Sequence, residues 1–489
     1  MPQPLILAID QGTSSSKCLL VAQDGGVVAR GSAPLGEQHP APGWVEQDPE
    51  ELWQSVQRAV ETCLEGQDSS RVVAVGLSTQ RESYLLWERG SGRAVAPLIS
   101  WQDGRTAELC QDLRTPQTQA LAWQRSGLPL DPMFSASKAK WLLDRHDPQR
   151  TCAQRGELCL GTVDSWLLFK LSGQHLTEIG NASRTQLFNV HTLDWDDDLL
   201  GLFGVPRATL PQVVPSDGPF PSAKNLPGFP ADIPLHAVMG DSHSALFAHG
   251  AFRPGAVKVT YGTGSSVMGL VAAPTEVSAG LCLTLAWSVD GKVQHALEGN
   301  IRASGATVRW VADLLGITPD ELAGLARAQA ESPVVIVPGF GGLGAPWWDE
   351  TAVGLISNLT LASSRGDLAY AAIESVAQQV ADVLERIGLL TELYADGGAT
   401  TNTQLMQLQA DLSGLRVLRS RDAELSALGV AHLAGLGAGV WDWNHLAALF
   451  REHQVITPAM APHRRDALRQ HWREAVDRAR QKGARHETL

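Results

Sequence analysis

Two segments of the chain share one hydrophobic plan. Leu5 to Ile9 is an unbroken apolar run that ends at one acid, Asp10. A loop of small and hydroxyl residues follows, Gly12-Thr13-Ser14-Ser15-Ser16, then Lys17 and a second apolar run, Cys18 to Val21, before the turn Asp24-Gly25-Gly26. This pattern predicts a β-hairpin with a small-residue tip. The plan recurs where Ala256 to Tyr261 meets Gly262-Thr263-Gly264-Ser265-Ser266 and the apolar run Val267 to Val271. Two copies, each heading about half the chain, predict an internal duplication. The expected organisation is two related α/β domains, residues 1–244 and 245–489, facing each other across a cleft.

Between the hairpins the periodicity changes. Asp48-Pro49 is an N-cap followed by a first helical proline, and Leu52, Trp53, Val56 and Val60 recur at helical spacing. Val72 to Leu77 reads as a buried strand ending in Ser78-Thr79-Gln80-Arg81-Glu82-Ser83, and Pro234 to Met239 as another ending in Gly240-Asp241-Ser242-His243. The Pro-rich stretch 201–234 reads as an irregular connection towards a boundary. In the second half a helix carries Val308, Trp310, Val311 and Leu314, and the stripe from Ala369 through Ile373, Val376 and Val380 to Ile387 predicts a core helix. The Ala- and Gly-rich segment 427–439 predicts close helix packing. The arginine-rich tail from His463 reads as the solvated face of a terminal helix, with a partner site as the alternative.

Candidate chemistry gathers at the ends of these runs. A tip of small residues offers backbone N–H groups, hydroxyls and one lysine, which suits a phosphate. Asp10 stands where a Mg²⁺ on that phosphate would need an oxygen ligand. An ordinary glycine turn remains an open reading of this loop. Arg81 and Glu82 follow a strand's carboxyl end, where ligands collect in open α/β sheets; a surface ion pair is the other reading. Trp101 beside Asp103 and Arg105 suits the edge of a sugar. Gly397-Gly398, with Ala399 and Asn402, would let a flat ligand lie against backbone at a helix start. Trp347 and Trp348 fit packing better than a site wall.

The composition narrows the classes. Of 489 residues, 44% are hydrophobic and 19% charged, which places the chain among globular enzymes. A net charge of −13 argues against non-specific nucleic-acid binding. The six cysteines show no metal or disulfide spacing and read as reduced thiols. The first residues lack a charged signal-peptide region, and no apolar run approaches a membrane span, so a cytoplasmic protein is expected.

The motifs AIDQGTSSSK (8–17), PGWVEQDPEELW (42–53), STQRES (78–83), WQDGRTAE (101–108), GTVDSWLL (161–168), NASRTQLFNVHTLDWDD (181–197), GDSHSALF (240–247), TYGTGSS (260–266), GLGAPWWD (342–349) and DGGATTN (396–402) occur in this order. Over nearly its whole length the chain resembles the FGGY carbohydrate kinases, and within them it is most similar to glycerol kinases. The resemblance implies an α/β fold of two actin-like (RNase H-like) ATPase domains with an intervening active-site cleft, using ATP and Mg²⁺ on a small sugar or polyol. It implies Asp241 as the catalytic carboxylate and Asp10, with Asp241, at the metal. Thr13, Ser14, Ser15 and Lys17 match one phosphate loop, and Thr263 with Gly264 the other. Gly305, Arg309, Gly398, Ala399 and Asn402 match nucleotide-binding positions, Arg309 where glutamine is frequent. The family often forms dimers or tetramers.

On the substrate side Arg81, Glu82, Trp101 and Asp103 match the family's pattern, and Asp103-Gly104-Arg105 looks more like its pentulose-kinase branch. Three positions depart from the glycerol pattern: Met133 replaces a tyrosine, Ser242 a glutamine and Ser266 a phenylalanine. A phenol, an amide and an aromatic wall are lost, so a roomier and differently polar pocket is expected. The loop 224–230 lacks the Gly-rich, Arg-containing stretch that serves sugar-bisphosphate inhibition in some glycerol kinases, and that regulation is not expected. The reading is therefore a kinase acting on a primary hydroxyl of a small polyol or ketose. Two alternatives stand beside it: a true glycerol kinase with a remodelled pocket, and a non-catalytic, actin-like nucleotide sensor.

Overall fold

A computed structural model describes residues 3–272, 280–329 and 332–483. The chain forms two compact units: Met1–Ala251 with Leu283–His295 and Glu424–Phe450, and Phe252–Cys282 with Ala296–Ala423 and Arg451–Leu489. The Pro-rich stretch lies before the first break between the units, which falls after Ala251. It contributes Gln212–Val214, a short strand parallel to Leu176–Glu178, and stays in the first unit.

In the first unit, strands β1 (Leu5–Gln11) and β2 (Ser15–Ala22) form the expected hairpin, and β3 (Val27–Pro34) extends it. On its other edge β1 pairs in parallel with β4 (Val72–Thr79), which pairs in parallel with β5 (Leu235–Gly240). The three parallel strands end on one side of the sheet, which puts Asp10, the segment 78–82 and Asp241 at adjacent strand ends. Helix α1 (Pro49–Leu64) is capped by Asp48, whose Oδ1 accepts from the N–H groups of Glu50 and Glu51 at 2.8 and 3.1 Å. It buries Leu52, Trp53, Val56 and Val60 as their spacing predicts. Helix α2 (Asp241–Ala248) follows β5 directly. The helix Leu425–Gly437 packs along α2 and β4, fulfilling the close packing its small residues predict. Ser426 Oγ donates to the Asp241 carbonyl at 3.1 Å.

The second unit repeats the plan. Strands β6 (Ala256–Tyr261) and β7 (Ser265–Val271) form an antiparallel hairpin, and β6 pairs in parallel with β8 (Glu392–Asp396). Then come β9 (Val417–Ser420), parallel to β8, and β10 (His453–Ile456), antiparallel to β9. The hairpin thus holds the same place in both sheets. Helices α3 (Gly305–Leu315), α4 (Pro319–Ala328), α5 (Arg365–Ile387) and α6 (Thr403–Ser413) complete this core. The apolar stripe of α5 is buried from Ala369 to Leu384.

The terminal helix α7 (Pro462–Gly483) has the expected solvated face, with Arg464, Arg473 and Arg478 exposed, and departs from it at Arg469 and along an apolar side. Trp472, Ala475, Val476 and Ala479 are buried in a cluster with Val337, Leu343 and Ala352. Arg469 is buried as well, with Nη2 donating to Asp382 at 2.6 Å and Nε to Glu385 at 3.0 Å. A buried arginine needs such partners to offset its lost hydration. Trp347 lies under the Arg480 guanidinium at 4.9 Å, and the Trp348 indole donates to the Gly280 carbonyl at 2.8 Å, so both rings serve packing. No helix among the described residues is long and apolar enough to cross a membrane.

Candidate active site

The first unit carries a cluster of charged groups at its strand ends. Asp10 stands opposite Lys17 on β2 and Ser78 on β4. Ser78 Oγ donates to Asp10 Oδ1 at 2.9 Å. Burial, and next the negative charge of Asp241, push the Asp10 carboxyl up to about 6, against the opposing pull of Ser78 and Lys17. The two carboxylates thus concentrate negative charge at these strand ends.

Asp241 opens α2. Its Oδ1 accepts from the Ser242 N–H at 2.6 Å and stands 3.3 Å from Arg81 Nε. About a third of the Asp241 side chain is exposed, whereas Arg81 is buried, so the carboxylate reaches outward from a fixed cation. Glu82 has a φ of 62°, a conformation that costs a non-glycine residue energy and is held only by its surroundings. Those surroundings are explicit: Glu82 Oε1 accepts from buried Arg184 Nε at 2.6 Å, and its carbonyl accepts from Ser135 Oγ at 2.9 Å.

The first Gly-Thr loop is clamped by a buried amide network. Gln47 Nε2 donates to the Thr13 carbonyl at 2.6 Å, and Gln80 Nε2 donates to Gln47 Oε1 and Gln11 Oε1, both at 3.1 Å. Ser83 Oγ donates to Gln80 Oε1 at 2.8 Å and accepts from the Trp101 N–H at 2.9 Å. The Trp101 indole closes the circuit by donating to Thr13 Oγ1 at 3.1 Å. Ser14, Ser15 and Lys17 complete the tip and the start of β2.

The substrate-side positions divide. Met133 is half-buried in a turn: its N–H donates to Asp131 Oδ1 at 2.9 Å, and its carbonyl accepts from buried Lys138 Nζ at 2.7 Å. Burial lowers the Lys138 ammonium to about 8. Ser242 occupies the first turn of α2. Asp103 is buried and turned inward. Its carboxylate takes both Arg105 Nε (2.9 Å) and Nη2 (2.7 Å) and the Val45 N–H (2.6 Å), while the guanidinium lies 3.8 Å from the Trp44 ring. Ser266 lies on β7 in the second unit, where its hydroxyl donates to buried Glu298 Oε1 at 3.0 Å.

In the second unit a cavity of about 430 Å³ is lined by Thr263, Gly305, Arg309, Gly398, Ala399 and Asn402, together with apolar Val308, Ala323, Ile373 and Leu405. Every nucleotide-binding position expected in the second half except Gly264 lines it, and Gly264 is next to Thr263 in the loop. The start of α3 is docked on the loop: the Gly305 N–H donates to the Gly262 carbonyl at 3.0 Å and the Ala306 N–H to the Thr263 carbonyl at 3.0 Å. A Cβ at Gly305 would lie 2.7 Å from the Gly262 carbonyl oxygen, so a side chain there would force loop and helix apart. Arg309 Nη2 donates to Thr263 Oγ1 at 3.0 Å. Asn402 caps α6, accepting from the N–H groups of Gln404 and Leu405 at 3.0 and 3.1 Å. Asp320 and Arg327 of α4 also line this cavity, and nothing in the local sequence pattern marks them.

The chain matches the N-terminal domain model of the FGGY family of carbohydrate kinases over residues 5–248 and the C-terminal domain model over residues 257–438. It is 44% identical to a glycerol kinase of Citrifermentans bemidjiense, covering 96% of this chain and 98% of that one. It is 42% identical to an apulose kinase of Pectobacterium atrosepticum, covering 98% and 99%. The crystal structure of Plasmodium falciparum glycerol kinase with ADP superposes with a TM-score of 0.92 at 28% identity, covering 98% of both chains. Xylulose kinase from Lactobacillus acidophilus shares the fold, with a TM-score of 0.87 at 21% identity over 99% of each chain. The chain belongs to the FGGY family of carbohydrate kinases and is an ATP-dependent member of it, built on that family's two-domain, actin-like α/β fold.

Proposed function

We propose that this kinase transfers the γ-phosphate of ATP to a primary hydroxyl of a small polyol or ketose other than glycerol, with Asp241 accepting the hydroxyl proton. The observation that carries the reading is the Asp241 carboxylate, partly exposed and fixed 3.3 Å from the buried Arg81 guanidinium. A general base must reach the proton it takes and keep its orientation while doing so. Arg81 and Glu82 hold substrate hydroxyls. Met133 and Ser242 occupy positions that in the glycerol pattern bear a phenol and an amide. Full-length similarity to an apulose kinase, almost as high as to glycerol kinases, supports a substrate outside the glycerol class.

The division of labour proposed is acceptor recognition by residues 1–244 and nucleotide binding by residues 245–489. Thr13, Ser14, Ser15 and Lys17 contact phosphate from the first domain. Thr263, Gly264, Gly305, Arg309, Gly398, Ala399 and Asn402 hold the nucleotide in the second. Among the described residues no group of three or more His, Cys, Asp or Glu side chains could hold a metal by itself. A pair of carboxylates, Asp10 and Asp241, fits Mg²⁺, which is usually bound by one or two carboxylates and substrate phosphates. When bound, Mg²⁺ would neutralise phosphate charge. Phosphoryl transfer depends on positioning and charge stabilisation, and the chain supplies both through its two loops.

The second reading, a glycerol kinase with a remodelled pocket, is favoured by the several glycerol kinases among the relatives. Introducing Met133→Tyr and Ser242→Gln together separates the two. If the wild-type pocket serves a larger acceptor, the double variant gains glycerol kcat/KM by about tenfold or more and loses activity on ketopentoses. A wild-type enzyme that already turns over glycerol far better than any four- to six-carbon acceptor supports the second reading instead. Assembly as a homodimer or homotetramer is also proposed, and light scattering of the purified protein tests it.

A further inference from the structure

Behind Arg81 stands a residue that neither the reaction nor the nucleotide needs directly. His243, fully buried on α2, places Nε2 3.5 Å from Arg81 Nη1 and 3.2 Å from Thr284 Oγ1. A guanidinium can only donate hydrogen bonds, so Nε2 is the acceptor and the imidazole is the neutral tautomer protonated on Nδ1. Towards that same nitrogen the Thr284 hydroxyl can only donate. His243 thus meets the Nη1 end of Arg81 while Asp241 stands 3.3 Å from its Nε.

The backbone has been shaped for this arrangement. A Cβ at Gly240 would lie 2.7 Å from Arg81 Cδ, 2.8 Å from its Cγ and 3.1 Å from His243 Nδ1. Only glycine leaves room for the arginine stem and the imidazole to meet at the end of β5. Thr284 is fixed in turn, 3.1 Å from Ser183 Oγ, and Ser183 adjoins Arg184, the partner of Glu82. The two substrate-facing charges are thus each braced from the protein interior.

We propose that His243 is a positioning residue for the acceptor side of the site, serving as the fixed hydrogen-bond acceptor that aims Arg81 at Asp241 and the substrate hydroxyls. This rests on the reading of Asp241 as the base. Without an acceptor at position 243, Arg81 keeps its charge but loses a restraint on its Nη1 end. The penalty falls on acceptor turnover and not on nucleotide binding.

The test is a double-mutant cycle between positions 243 and 81, with glycerol and D-xylulose as acceptor probes and ADP release as the signal. His243→Leu, similar in size but without an acceptor, is expected to lower kcat/KM for the acceptor about tenfold, the scale of one hydrogen bond to a charged group. Affinity for ADP stays within twofold. His243→Gln, which restores a side-chain acceptor, recovers most of the loss. In an Arg81→Ala background His243→Leu costs less than about twofold, because residues acting through one another are not additive. Equal effects of His243→Leu in both backgrounds overturn the proposal, as does a glutamine variant no better than leucine. Failure of the base assignment shows separately, as full turnover by Asp241→Asn.

Discussion

The indole N–H of Trp101 donates to the hydroxyl oxygen of Thr13 at 3.1 Å, which leaves the threonine's own proton to be donated elsewhere. The second loop uses another donor to the same end, Arg309 Nη2 to Thr263 Oγ1 at 3.0 Å. Each Gly-Thr loop therefore has a threonine whose oxygen is occupied as an acceptor and whose O–H is left to donate. Trp101→Phe keeps the aromatic volume and removes the donor. It is expected to raise KM for ATP or lower kcat by about tenfold, in line with one lost hydrogen bond near charge. Unchanged steady-state constants would show that the indole only fills space.

Asp241→Asn preserves shape and removes basicity. Turnover is expected to fall by about 10²–10⁴, the usual contribution of a general base. Isothermal titration should find ADP affinity intact, since the 430 Å³ cavity is lined entirely by residues of the second unit. Near-normal turnover would remove Asp241 from the mechanism.

Arg309 brings a full positive charge to a cavity that Asp320, Arg327 and a set of small and apolar groups also line. Arg309→Gln should weaken ADP binding by about tenfold and flatten its dependence on salt, because charge-assisted bonds to phosphate are stronger than neutral ones. Adenosine, which lacks phosphates, should bind both proteins alike. An equal loss for adenosine would place the arginine at the base or ribose instead.

Much of this was legible locally. The hairpin tips, the Asp48-Pro49 helix start and the stripe of Ala369 to Ile387 declare themselves within a few residues, because each is set by short-range periodicity or capping. The bracing residues do not. Arg184 meets Glu82 across 102 positions, and Thr284 meets His243 across 41, so no spacing pattern connects them. The helix Leu425–Gly437 is buried on most sides and presents no polar face from which its destination could be read. Arg469 misled for the opposite reason: in sequence a charge implies solvent, and only the fold supplies Asp382 and Glu385. Asp103 reads as a sugar ligand, but its carboxylate is committed to Arg105 and to the Val45 N–H.

Glu178 provides a probe of the first unit's stability. It is fully buried, accepting from Ser216 Oγ at 2.6 Å and from the Asn181 N–H at 2.9 Å. Burial, only partly opposed by these bonds, raises its carboxyl from 4.5 to about 8. The folded chain therefore holds a proton that the unfolded chain releases, and the resulting stability is present in full below pH 4.5 and lost as pH rises through about 8. The Tm of the wild type should fall relative to that of Glu178→Gln between about pH 5 and pH 8.5. A difference independent of pH would mean that Glu178 is ionised in the fold.

The most direct test of the account is a coupled ADP-release assay with MgATP over glycerol, tetritols, pentitols, ketopentoses and ketohexoses. The account predicts acceptor-dependent ADP formation, with kcat/KM for at least one four- to six-carbon acceptor above that for glycerol and abolished by Asp241→Asn. ADP release that is the same with every acceptor and with none, despite measurable ATP binding, would contradict it.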